Sequence, residues 1–344
     1  MSRKSRRRPR KTNIPRMRFL KKLIVLAIIA TLAAVALFSY WAKQPVMTEG
    51  EPIPFAITPG SGVGAGSQQI AKAGVPMNPF LFSLLARVTG KASQIKAGSY
   101  ELKPGTTPRQ LVGQLVRGEF AQESVTIIEG WTFKQMRQAV AGSKSLKHDT
   151  SSLSDADLMA KISKEYKSPE GLFFPDTYLF AKGSSDLQIY KQAHALLMTR
   201  LAAAWEKRDA SLPYKTPYEA LVMASIVEKE TGQKSERAMI AGVFVNRLKQ
   251  GMMLQTDPTV IYGMGDGYSG NIRKKDLETD TPYNTYTRAG LPPTPIALPG
   301  VESLSAALGP AKTEALYFVA RKDGTSQFSN NLPDHNKAVN QYQR

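Results

Sequence analysis

Residues 23–41 read LIVLAIIATLAAVALFSYW, nineteen residues without a charge. A chain with such a run must hide it in a protein core or leave it in a lipid bilayer, and the flanks decide between the two. As a helix rising 1.5 Å per residue, the run nearly crosses a hydrocarbon core of ~30 Å. Lys21 and Lys22 bound one end; Tyr40 and Trp41 close the other, where amphipathic rings favour the lipid–water interface. Residues 1–22 hold eleven Lys or Arg and no acid, which marks this tail as the side kept in the cytoplasm and turns the rest of the chain outward. A cleavable signal peptide is the alternative, but its apolar stretch is usually ~7–15 residues long. Here Leu37 and Phe38 carry the run past the small-residue site Ala34-Val35-Ala36. The expectation is an uncleaved single-pass anchor over 23–41.

The same tail explains the formal net charge of +18. Only +7 is left for the 322 residues beyond it, too thin a balance for a nucleic-acid-binding surface, so no nucleic-acid partner is expected. The chain has no cysteine, which excludes disulfides, thiolate zinc sites and a thiol nucleophile. Its histidines, His148, His194 and His335, are far apart and match no metal spacing. His194 falls in an amphipathic stretch and reads as a packing residue. Neither a metal nor an organic cofactor is implied.

Beyond a polar, Pro- and Gly-containing linker at 42–53, one pattern occurs three times between 54 and 142. Phe55–Thr58 leads through Pro59-Gly60-Ser61 to a helical stretch and Gly74. Tyr100–Lys103 leads through Pro104-Gly105-Thr106 to a helix and Gly118. Val125–Ile128 leads through Glu129-Gly130-Trp131-Thr132 to a helix and Gly142. Each unit reads as strand, glycine turn, Ser/Thr cap, short helix and terminating glycine. Asn78-Pro79 opens a further apolar helix between the first two. The expectation is a small α+β subdomain over 54–142, resembling LysM-like modules, which are associated with N-acetylglucosamine polymers; a plain spacer is the competing reading. A larger mixed α/β region follows over 143–344, giving an α+β chain behind a transmembrane helix.

In that larger region, helical stretches are expected over Asp155–Tyr166, Asp186–Arg208 and from Ser235 to Gly251, and the most informative one starts at Thr216-Pro217. Tyr218–Thr231 reads YEALVMASIVEKET, apolar on every face in its middle and therefore buried, yet it ends in Glu228-Lys229-Glu230. Either the helix emerges into solvent there, or one carboxylate opens into an apolar-walled cleft, where burial would keep it protonated as a general acid near neutral pH. Two residues on a helix are about 200° apart, so both glutamates cannot face one cleft. Glu230 continues the stripe of Met223 and Ile226; Glu228 continues Leu221 and Ala224. Geometry alone does not choose. The loops beyond, 254–263, 280–286 and 290–296, are rich in Tyr, Asn, Thr, Gln and Asp. Such groups suit the apolar faces and hydroxyl edges of sugars, although the same residues also build turns.

From Ala224 onward the chain closely resembles the endolytic murein transglycosylases of the MltG, or YceG-like, family. The matching runs are ASIVEKET at 224–231, VFVNRL at 243–248, LQTDPTVIYGMG at 254–265, DLETDTPYNTYTRAGLPP at 276–293, YFV at 317–319 and HNK at 335–337. The resemblance implies that the second glutamate of the Glu-Lys-Glu run, Glu230, is the catalytic acid/base. It implies a lytic transglycosylase that cuts between N-acetylmuramic acid and N-acetylglucosamine in nascent peptidoglycan strands, leaves 1,6-anhydro ends and so ends strand elongation. Gln255, Asp257, Tyr283, Asn284, Thr285 and Tyr286 are the candidates to hold the sugars and orient Glu230. The implied setting is the bacterial inner membrane with the C-terminal domain periplasmic, and the implied partners are penicillin-binding proteins and other cell-wall synthases. A non-catalytic peptidoglycan-binding scaffold is the competing class; a Gln or Ala at 230 would have favoured it.

Overall fold

The computed structural model describes residues 14–343, so residues 1–13 of the expected basic tail lie outside the described residues. Helix α1 (Ile14–Trp41) contains one apolar span long enough to cross a membrane, Phe19–Trp41. No residue of that span is fully buried; Leu26, Ile29, Leu32 and Leu37 are all exposed. A core helix of this composition would be covered.

The chain divides into two compact units at the junction of Ala121 and Gln122. The first contains β1 (Ile53–Ile57), α2 (Val63–Lys72), α3 (Pro79–Val88), β2 (Gly98–Leu102) and α4 (Pro108–Arg117). β1 and β2 pair antiparallel with Phe55 opposite Tyr100, and the two rings stack at 5.6 Å. Ile70 of α2, Phe82 and Leu85 of α3 and Leu115 of α4 complete the core, against which Phe38 and Trp41 of α1 also pack. α3 starts as its sequence demands: Pro79 takes the first turn, and the Asn78 side chain accepts from the N–H groups of Phe80 and Leu81.

Two details of the repeat differ from the sequence reading. α4 is capped by Thr107, in a reciprocal box with Gln110, rather than by Thr106. α2 begins at Val63 behind an N-cap of Gly62, with no side-chain cap. The expected boundary at 142 also moves. The third repeat, β3 (Gln122–Thr126) and α5 (Phe133–Gly142), belongs to the second unit, because β3 pairs with the distant β4 (Thr177–Ala181). Phe133, Met136 and Val140 of α5 are buried in the second core.

That second unit continues with α6 (Asp155–Ala160), α7 (Leu187–Glu206), α8 (Pro217–Glu230), α9 (Arg237–Lys249), α10 (Asp257–Met264), α11 (Lys274–Glu278), α12 (Val301–Leu308), a hairpin of β5 (Tyr317–Ala320) and β6 (Ser326–Ser329), and α13 (Leu332–Tyr342). α6 stops well short of the expected Tyr166, and α9 starts two residues after Ser235. His194 is buried on α7 with its Nδ1 2.9 Å from the Leu172 carbonyl, a packing role. α8 is the centre of the unit. Every residue from Ala220 to Val227 is buried, with α7, α9, α10 and α12 packed around it. A helix so enclosed fixes the two glutamates at its end with little freedom.

Candidate active site

Glu228 and Glu230 leave α8 in different directions, and their surroundings separate them. The Glu228 side chain is 5% exposed and paired with Arg237 of α9, itself 6% exposed, at 3.0 Å. Its second oxygen accepts from the backbone N–H of Gly300 at 3.0 Å. Both carboxylate oxygens are engaged, and the group ties α8 to α9 and to the start of α12.

Glu230 faces a groove of about 920 Å³. Its Oε2 accepts a 2.6 Å hydrogen bond from the Thr256 hydroxyl. Burial pushes its carboxyl above the usual range; the Thr256 hydroxyl and the Arg247 guanidinium pull it back, and the Asp257 carboxylate adds to the rise. A carboxyl raised in this way keeps its proton to higher pH than a free one and can still take one back, which suits general acid/base work.

Thr256 is delivered by an unusual turn. Gln255 sits at φ 51°, a left-handed conformation that non-glycine residues rarely adopt. Three threonines hold the turn. The Thr256 N–H donates to Thr285 Oγ1 at 3.1 Å, Thr259 Oγ1 donates to the Thr256 carbonyl at 2.8 Å, and Oγ1 of Thr259 and Thr285 lie 2.8 Å apart. Thr256 occupies the N-cap of α10 but makes no side-chain cap bond, its hydroxyl proton being committed to Glu230.

The six loop candidates divide evenly. Gln255, Asp257 and Tyr286 line the groove with Glu230. The Tyr286 hydroxyl donates to Asp257 at 2.6 Å, and the Asp257 charge and burial both push that phenol upward. The other three stand outside the groove lining and hold the loops around it. Asn284 is 0% exposed, with Nδ2 on the Leu277 and Thr279 carbonyls and Oδ1 accepting from the Tyr286 N–H. Thr285 is buried in the threonine network. Tyr283 packs its ring 4.8 Å from that of Tyr262 and bonds Thr294, away from the groove.

The groove also takes in side chains that the sequence analysis gave no role; of these, Arg247, Tyr317, His335 and Asn336 stand within the matching runs. Arg247 of α9 donates to the carbonyls of Leu316 and Leu254, with its guanidinium 5.1 Å from the Tyr317 ring. Tyr317 stacks on His335 of α13 at 5.1 Å. Ser326, Asn336 and Gln343 add polar edges. Among the described residues, no group of acidic or histidine side chains is arranged to hold a metal.

A partly buried carboxyl raised by its surroundings opens onto a groove edged with hydroxyl, amide and aromatic groups, an arrangement suited to acid/base chemistry on a polar substrate. The chain belongs to the YceG-like family, whose model matches residues 55–341. It is 35% identical over 308 residues to the endolytic murein transglycosylase of Bacillus subtilis, covering 83% of each chain. It is 30% identical to a protein of the same name from Streptococcus pneumoniae, over 92% of this chain and 65% of that one. The crystal structure of a putative YceG-like protein from Listeria monocytogenes superposes with a TM-score of 0.53 at 34% identity, over 84% of this chain and all of that one.

Proposed function

We propose that this protein is an endolytic lytic transglycosylase of peptidoglycan. It cleaves the bond from N-acetylmuramic acid to N-acetylglucosamine in nascent strands, leaves 1,6-anhydro-muramic ends and so terminates elongation. The observation that carries the reading is Glu230: half-buried, its carboxyl raised by that burial, held by Thr256 and open to the groove. Protonated Glu230 gives its proton to the glycosidic oxygen. As a carboxylate it then accepts the proton of the muramic acid C6 hydroxyl, which attacks C1 of the same sugar and closes the anhydro ring. The attacking hydroxyl is part of the substrate, so a high effective concentration replaces an activated water.

Gln255, Asp257 and Tyr286 then contact sugar, while Tyr283, Asn284 and Thr285 hold the loops that present them. The β-α-α-β order of the first unit supports its reading as a LysM-like module that binds N-acetylglucosamine polymer. α1 supports a single-pass anchor, with the enzyme on the outer, periplasmic side and cell-wall synthases such as penicillin-binding proteins as partners.

Asp257 puts a second carboxylate into the groove, and a glycoside hydrolase would use two, one of them to activate water. The chemistry of the new end separates the two reactions. Uncrosslinked glycan treated with the full-length protein in detergent and examined by mass spectrometry should yield anhydro-muramic ends at internal cuts. Reducing muramic ends would replace the transglycosylase reading with a hydrolase.

A further inference from the structure

Helix α3 is amphipathic in a way that its own unit does not use. Phe82, Ser83, Leu85 and Ala86 are buried, but Phe80, Leu84 and Val88, spaced four apart along one side, stand exposed at 73%, 36% and 65%. Isolated exposed apolar residues are ordinary, whereas a stripe of three on one short helix calls for a covering surface. The stripe does not stand alone. Leu81, Leu84, Leu85 and Val88 form one wall of an apolar groove of about 950 Å³, and the other wall is α1 from Thr31 to Trp41. That wall is the C-terminal half of the apolar span Phe19–Trp41. At 1.5 Å per residue it extends about 16 Å, roughly half of a hydrocarbon core.

Building on the anchor reading of α1, we propose that the α1–α3 groove is filled by phospholipid of the outer leaflet, so that α3 lies in the bilayer beside the anchor. The continuity of the two walls requires it: lipid that surrounds α1 between Thr31 and Trp41 has free access to the exposed side of α3 at the same depth. The rim has the matching charge. Lys43 and Arg109 line the groove, Lys91 stands with Arg109 in the small cavity beside it, and neither cavity is lined by an acid. Cations at this level meet lipid phosphates, while Leu and Val side chains meet acyl chains. The first unit is thereby seated on the membrane at two places, and swivelling about a single helix is prevented.

The absence of cysteine makes the test direct, since one substitution gives one labelling site. The full chain carrying Val88→Cys, Leu84→Cys, Leu37→Cys or Ala56→Cys is labelled with bimane. Each is reconstituted into vesicles of phosphatidylglycerol and phosphatidylethanolamine whose acyl chains are brominated. Leu37 reports the anchor, and Ala56 reports the exposed face of β1 turned away from the core. Quenching at 84 and 88 comparable with that at 37, and several-fold above that at 56, is the expected result. Quenching at 37 with 84 and 88 no better than 56 overturns the proposal and leaves the anchor reading intact. Loss of quenching at 37 as well removes the anchor reading, and the lipid site with it. Labels at 84 and 88 shielded from both bromolipid and aqueous iodide would mean that a second copy of the chain covers the stripe, which also overturns the proposal.

Discussion

Glu228 and Glu230 sit two residues apart on α8 and meet opposite surroundings. Glu228 is clamped by Arg237 and the Gly300 N–H, while Glu230 receives one neutral hydroxyl and faces the groove. Replacing each by glutamine should therefore cost different things. Glu230→Gln should lose ~10²–10⁴-fold in glycan cleavage, the usual cost of removing a general acid/base, and should fold. It should also be more stable than the parent at pH 8. A carboxyl raised in the folded state is favoured when protonated, so the parent gives up stability as pH rises above the unfolded value, and the amide has no such loss. Glu228→Gln removes the nearer counter-charge of the buried Arg237 and leaves only Glu302 at 3.6 Å, so it should destabilise, by less than the ~3–5 kcal/mol of a fully unpaired buried charge. Its activity should fall in proportion to unfolded protein. Cleavage rate per folded molecule, with thermal unfolding of both variants, checks the pair; a folded, fully active Glu230→Gln would end the mechanism proposed here.

Glu170 makes a separate pH prediction. It accepts from the Phe133 N–H at 3.0 Å and the Tyr262 hydroxyl at 3.1 Å, and burial raises its carboxyl from 4.5 to about 7. A raised carboxyl stabilises the fold below its unfolded value, and that contribution disappears as pH climbs to the folded one. Stability should thus decline between pH 4.5 and about 7, by up to ~3 kcal/mol from this group. Glu170→Gln keeps an acceptor for Phe133 and should flatten the decline. Denaturant midpoints at pH 5 and pH 8 give the comparison, and an unchanged slope would show that Glu170 is ionised at little cost.

Much of this was legible in the sequence, and the gaps have physical causes. The uncharged run of α1 and the apolar middle of α8 are local patterns, and both elements formed where their patterns placed them. Helical spacing could not choose between Glu228 and Glu230, because what separates them comes from elsewhere in the chain: Arg237 on the next helix and Thr256 in a loop 26 residues on. The third strand–helix repeat looked like the first two for the same reason. A local pattern defines a strand but not its partner, and the partner of β3 lies 51 residues away, where Thr126 and Thr177 share a hydrogen bond. Amides serve both sugars and turns, so the sequence could not show that the Asn284 side chain bonds the carbonyls of Leu277 and Thr279 and the Tyr286 N–H.

Gly242, in the middle of α9, tests close packing against helix propensity. Alanine is favoured over glycine in a helix by ~1 kcal/mol. Yet a Cβ at 242 would stand 2.7 Å from the Ala311 carbonyl oxygen and 2.8 Å from Thr313 Cγ2. That segment cannot step back freely: the Ala311 N–H is bonded to Ala238, and Asn246 Nδ2 holds the Thr313 and Ala315 carbonyls. Gly242→Ala should destabilise by ~1–3 kcal/mol, the range for overpacking. A rise in the unfolding midpoint would mean that the loop moves away cheaply.

Thr256 is a positioning residue, acting on the sugar through Glu230, and its removal should leave a signature that a general loss of fold would not. Thr256→Val keeps the shape and deletes the hydroxyl that donates to Glu230 Oε2. Two consequences follow. Without that bond the carboxylate form loses support, so the folded carboxyl rises further, and the alkaline limb of the pH–rate profile should move to higher pH. Without that bond the side chain also loses the contact that fixes its rotamer at the groove, so kcat should fall by roughly tenfold to a hundredfold while KM changes little. Thr256→Ser restores the hydroxyl and should recover both the rate and the position of the limb. The backbone of residue 256 is held by Thr285 and Thr259, so the turn itself should survive either change. A Thr256→Val enzyme whose limb stays in place while kcat and KM worsen together would show that Thr256 only packs the turn. The task of holding Glu230 would then fall to Arg247 and the groove wall.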